Sequence, residues 1–210
     1  WDMRKEKIPA IDKVFVFGNY SGSRVAPGDY VLRMSLENET VETTVKLLPN
    51  PRIQATSADY TEQQQMLDQI ENTIHLMHKA VNQMRSAKAQ LKKYKKLLKD
   101  NEKASELLAL GDSLVKRIEV WEENLIQPKQ KTFQDVINFH NQLNADFMHL
   151  KGFVDTAEPQ VTEGAKERLR DLLVQWNGFN TEKKSIVEDE MTKYNTLYKT
   201  MNLPAVLLSE

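Results

Sequence analysis

Between Arg52 and Gly111 the chain contains neither glycine nor proline. Apolar residues recur there at Tyr60, Leu67, Ile70, Ile74, Met77, Val81, Met84, Leu91, Tyr94 and Leu98. Each step between them is three, four or seven residues, the spacing of a heptad seam. No strand pattern tolerates such a run, so the spacing predicts one helix of about 40 residues, about 60 Å long. Ser57 and Asp59 are its candidate N-caps. A helix of that length needs long partners for its seam, and the rest of the sequence supplies amphipathic stretches. A second helix is expected from about Asn101 to Ile126, with Leu107, Leu114, Ile118, Trp121 and Leu125 on one stripe, ended by Pro128. A third is expected from about Phe133 to Thr156, its stripe formed by Phe133, Val136, His140, Leu143, Phe147, Leu150 and Val154. A fourth starts after Thr162, a good N-cap with Glu163 in the first turn where the helix dipole favours an acid. Its seam runs Ala165, Leu169, Leu172, Trp176, Phe179, Ile186, Tyr194, Leu197 and Met201, and Pro204 stops it.

Before Pro51 the period changes to two. Tyr30, Leu32, Met34 and Leu36 alternate with Val31, Arg33 and Ser35, and Val41, Thr43, Val45 and Leu47 alternate again. The polar link Glu37-Asn38-Glu39 between them predicts a β-hairpin. Val14–Phe17 is expected as a third strand, and 18–28 as a loop. Three short strands leave two open edges and too little surface for a sandwich, which normally takes about 100 residues. The expected architecture is α+β and mainly α: a partial Ig-like antiparallel β-sandwich over residues 1–52, then an elongated antiparallel four-helix bundle over residues 53–210. The strands that would complete the sandwich are expected before Trp1.

Composition narrows the function classes. Twenty-nine Lys and Arg against 30 Asp and Glu give a formal net charge of -1, so no global field favours nucleic acid or an anionic membrane. Cysteine is absent, which excludes disulfides, thiolate metal sites and a cysteine nucleophile. No apolar run reaches the roughly 18–20 residues of a membrane span. No phosphate-binding loop, dinucleotide turn or nucleophile elbow occurs.

The remaining candidates each have a plain alternative. Glu71, His75 and His78 lie one turn apart and supply ligand types for a metal, but the seam at Ile74 and Met77 places both histidines beside it in solvent, so no metal is expected. His140 is expected as a hydrogen-bonded core histidine, and His149 carries no signal. Lys88, Lys92, Lys93, Lys95, Lys96 and Lys99 form a basic amphipathic stretch with Leu91, Tyr94 and Leu98, a candidate surface for a partner or an anion. The plain reading is a bundle seam with lysines near a helix C-terminus. Glu188-Asp189-Glu190 reads as a solvated acidic face, because neighbours on a helix diverge. Asn19 and Asn38 match the N-glycosylation pattern, which acts only in a eukaryotic secretory protein. Trp121 and Trp176 read as core, and Trp1 stands apart in a polar setting.

Several landmarks in order carry a resemblance. Trp1-Asp2-Met3-Arg4, Val25-Ala26-Pro27-Gly28-Asp29-Tyr30, Pro49-Asn50-Pro51-Arg52, Thr162-Glu163-Gly164-Ala165 and Asn202-Leu203-Pro204-Ala205-Val206 together resemble the C-terminal region of large bacterial proteins with a sortilin-like BNR/Asp-box β-propeller, often labelled glycosyl hydrolases. Asn50 stands where that family usually has Asp. The resemblance implies a non-catalytic accessory or scaffolding region, an extracytoplasmic bacterial location, and docking on an upstream β-propeller of the same polypeptide, with self-association as a second mode. It transfers no catalytic residue and no cofactor, since the Asp-box pattern is missing here. Nucleic acid and membrane are not the expected partners. Two other classes stay open: a helical interaction or membrane-tether module using the Lys-rich end of the first helix, and a hydrolase acting through Asp2, Asp29 or Glu190, whose spacing does not support it.

Overall fold

Thr56 starts the first long helix. Its hydroxyl accepts from the Asp59 amide at 3.2 Å, and the Asp59 carboxylate takes the Thr56 amide at 2.7 Å. This reciprocal capping box replaces the expected caps Ser57 and Asp59; Asp59 serves as the third residue of the box. The Thr56 amide and the Thr56 hydroxyl, both donating to that carboxylate at 2.7 Å, hold the Asp59 carboxyl below its ordinary pKa. In the computed structural model, which describes residues 1–16 and 18–202, α1 spans Ser57–Leu98, α2 Ser105–Leu125, α3 Leu143–Val154, α4 Glu163–Ser185 and α5 Thr192–Thr200. A π-helical turn, Ile186–Met191, joins α4 to α5 without interruption. Strands β1 (Gly28–Leu36) and β2 (Glu39–Leu47) form one antiparallel hairpin. The protein is mainly helical with a small two-stranded sheet.

Cross-helix contacts fix the directions. Lys88 reaches Glu122, Lys92 reaches Glu119 and Lys95 reaches Asp112, so α2 runs against α1. Gln63 donates to the Val154 carbonyl and Lys151 meets Glu71, so α3 also runs against α1, farther toward its N-terminus. Lys166 meets Glu62, Lys183 meets Gln83, and Tyr198 packs on Tyr94, so the α4–α5 rod runs parallel to α1. The body therefore has three lanes: α1 upward, α2 then α3 downward in succession, and α4–α5 upward. The lengths agree, since α1 has 42 residues and α2 and α3 have 21 and 12, about 63 Å against about 32 Å and 18 Å. This corrects the expectation of four helices as mutual antiparallel neighbours. Short links force reversal, but the link over residues 126–142 is long enough to carry the chain onward in the same direction.

That link also corrects the third helix, expected from Phe133. Only a 3₁₀ turn forms there, Phe133–Ile137. Asp135 accepts the amides of Lys131 and Thr132, and Gln130 donates to the Phe139 carbonyl and to Asn141. These side chains satisfy backbone groups that a helix would otherwise use, which favours the turn. His140 is consequently exposed rather than in the core.

Beside α3 the lanes leave a groove, and the N-terminal segment fills it. Residues 4–16 and 18–25 form a doubled-back strap, its arms joined by Lys5 N–H to Ser23 O at 2.9 Å and Ile8 N–H to Tyr20 O at 2.8 Å. Ile8, Ile11 and Val16 enter the same buried cluster as Ile70, Ile74, Phe147 and Trp121. Val14–Val16 has no ladder partner and is irregular, which corrects the expected third strand; its last residue, Phe17, lies outside the described residues. So do Leu203–Val206 of the C-terminal landmark and the expected helix stop at Pro204. The strap is clamped by charge. Arg4 bonds the Gly22 carbonyl and Asp155, both at 2.8 Å. Asp155 takes the Arg24 amide, Glu71 takes the Ser23 amide, and Lys151 donates to the Ser21 carbonyl.

Candidate functional site

The hairpin departs from the body at Pro27 and returns at Pro49. Its register pairs Tyr30 with Val45, Leu32 with Thr43 and Met34 with Val41. One face therefore carries Tyr30, Leu32, Met34, Leu36, Val41 and Val45. Alternation along each strand dictates this, and on an ordinary half-buried sheet such a face would meet a core. Here it does not. Met34 is 68% exposed, Leu36 72% and Val41 60%. Trp1 covers only the root, its ring 5.1 Å from that of Tyr30, with its Nε1–H donated to the Arg4 carbonyl at 3.1 Å. The opposite face carries the exposed Val31 and is otherwise polar, with Arg33 meeting Glu42 at 2.6 Å and Ser35 meeting Thr40 at 3.2 Å. Both outer edges lack a strand partner, since the sheet among the described residues has two strands. An apolar row with free edges is the arrangement that accepts further strands.

The lysine run takes a different form. Lys88 is held by Glu122 at 2.8 Å, Lys92 by Glu119 at 2.8 Å, Lys95 by Asp112 at 2.7 Å, and Lys99 lies 3.7 Å from Asp100. The hydrogen bond from Lys92 holds the Glu119 carboxyl below its ordinary value. Lys93 and Lys96 are exposed and have no ion pair among the described residues. Between α1 and α2 the row of pairs rims a cleft of about 340 Å³ whose floor is Leu91, Leu107, Gly111 and Tyr194. Burial raises the Tyr194 hydroxyl's pKa. The cleft thus presents a rim of paired charges over an apolar floor.

The other sequence candidates are dispersed. His75 is exposed, whereas His78 is 1% exposed and bonds the Pro9 carbonyl through Nδ1 at 2.7 Å. That corrects its expected place in solvent. His78 lies four residues after Ile74 and three before Val81, so it widens the buried stripe on the side that the strap covers. His149 is exposed. Glu190 lies 3.6 Å from Arg117, which also holds Glu182 at 2.7 Å, and Asp189 accepts from Ser185 at 2.8 Å. Asp2 accepts the Arg4 amide at 3.2 Å, and Asp29 is exposed. Trp121 and Trp176 are buried, and Trp121 donates to the Phe179 carbonyl at 2.8 Å. Among the described residues no three His, Asp or Glu side chains converge as metal ligands, and no helix is long and apolar enough to cross a membrane. No family model, curated protein or solved structure matches the chain.

Proposed function

We propose that the chain is a non-catalytic accessory region whose hairpin docks into β-structure belonging to a larger polypeptide, while the three-lane helical body serves as a rigid scaffold. The exposed apolar face of β1 and β2 carries this reading. A monomer rarely leaves such a row in water unless it is an interaction site. The clamp of Arg4, Asp155, Glu71 and Lys151 supports it as well, because it fixes the hairpin's base on the body and so directs the hairpin outward. The sequence landmarks supply the identity of the partner in this proposal: the strands that complete an Ig-like sandwich in an extracytoplasmic bacterial protein of the sortilin-like propeller type, with the propeller itself carrying any glycoside chemistry.

The test is the mass of the native polypeptide, read on a denaturing gel with an antibody against the helical body. A band several times heavier than 24.3 kDa is the expected result. A band near that mass would remove the larger-polypeptide reading and turn attention to Lys93 and Lys96 as a contact surface. Turnover of aryl glycosides by the purified chain, abolished by a point substitution within it, would end the non-catalytic reading.

A further inference from the structure

At the middle of α1, where the two arms of the strap cross it, His78 is enclosed. Its Nδ1 is engaged by the Pro9 carbonyl at 2.7 Å, so Nδ1 carries the proton. Its Nε2 is buried and has no hydrogen-bond partner among the described residues. On one side stands Tyr20, ring centroid 5.8 Å away, whose hydroxyl is likewise buried and unpartnered. The neutral ring tolerates this site, because a lone pair without a donor costs little beside a charged N–H without an acceptor. The ionic groups on the elements around it do not invite a second proton. On α1 these are His75 and Lys79. On α4 it is Lys183, bonded to Gln83. On α3 Lys151 is committed to Glu71, and farther along α1 the Arg85 guanidinium is committed to Glu122 and to the Asp12 carbonyl of the strap. No carboxylate bonds the ring. Burial holds the His78 pKa below its ordinary value, outweighing the Pro9 hydrogen bond, which raises it, with the His75 charge adding to the lowering.

We propose that His78 is an acid-sensitive latch: a proton on Nε2 releases the strap arm carrying Ile8, Pro9 and Ile11 from α1. The proton comes from solvent and no other bond is made or broken. In the open state the imidazolium is hydrated. The sign follows from linkage. The folded pKa is below the open-state value of about 6.5, so the closed state is fully favoured above that pH and loses ground as pH falls below it. Opening uncovers Ile8 and Ile11 and loosens the base from which the hairpin projects, so the device would couple acidity to hairpin presentation; the latch itself does not depend on what the hairpin binds.

The experiment is hydrogen exchange of the Lys5 and Ile8 amides, which bond the other strap arm, at about pH 7.5 and about pH 5.0. An open-state pKa of about 6.5 allows at most about a thirtyfold fall in protection factor over that interval. The proposal expects about tenfold or more, with core amides of α1 unchanged. In His78→Gln the fall should be less than about twofold, on the same linkage. An equal fall in that variant, or uniform protection in the unmodified chain, overturns the proposal. If His78→Gln does not fold, NMR titration of His78 in the unmodified chain decides: it must titrate below the ordinary histidine value of about 6.5, and titration at or above that value overturns the latch.

Discussion

Gly22 lies where the two arms of the strap approach most closely. A Cβ there would stand 2.3 Å from the Lys5 carbonyl oxygen and 2.4 Å from that of Glu6. Both are backbone atoms, so relief means parting the arms. Gly22→Ala is expected to lower stability by about 2–3 kcal/mol in a denaturant titration, the upper part of the overpacking range. Gly18→Ala is the reference, since its Cβ would meet Met148 at an ordinary 3.5 Å, and it should cost less than about 0.5 kcal/mol. Glu122 makes a second prediction at this scale. It is buried and receives Arg85 at 2.6 Å and Lys88 at 2.8 Å. Glu122→Gln leaves two cations facing a neutral amide and should cost about 2 kcal/mol, below the full range for a buried pair because both cations are partly solvated. His78 sits at the edge of the α1 seam, and its burial comes from the strap segment with Pro9 and Tyr20, which the helix spacing does not announce. Glu122 was not legible either, because its burial comes from two cations on another helix that no local spacing reveals.

The seam of the α4–α5 rod steps by eight from Ile186 to Tyr194, where a heptad would step by seven. Eight residues at 3.6 per turn would swing Tyr194 well off the core. The π-helical turn Ile186–Met191 absorbs the extra residue, so both Ile186 and Tyr194 remain buried. Deleting Val187 restores a step of seven. The expected result is an unbroken α-helix with stability within about 1 kcal/mol of the parent, whereas deleting Arg170 from the regular α4 shifts the seam and should cost several times more, on the order of a core disruption. Circular dichroism during thermal unfolding distinguishes the two. The hairpin carries its own strain. Glu37 has a φ of 52°, a left-handed conformation that costs a side chain roughly 1–2 kcal/mol. Glu37→Gly should raise protection of the β1–β2 ladder amides severalfold without altering the melting of the helices. The helical seams and the hairpin alternation were legible because each element writes its period into its own residues. The strap was not. Ile8, Ile11 and Val16 follow the shape of a groove built by α1 and α3, so their spacing has no period of its own.

At the scale of the molecule, the lanes explain why two long helices and two shorter ones coexist. α2 and α3 share one lane, and the strap fills the groove beside α3. The sequence showed four apolar stripes but not which of them share a lane, since stripe width says nothing about direction and only the long 126–142 link hints at it. The hairpin stands outside this arrangement with its apolar row uncovered, and docking requires that row to be covered elsewhere. Oxidative footprinting of Met34 tests it most directly, with the fully buried Met77 as internal control. In the isolated chain Met34 should oxidise readily and Met77 should not. In the native polypeptide drawn from its source, Met34 should become at least about tenfold less reactive, as burial in a β-core requires. Equal reactivity of Met34 in the two samples would contradict it.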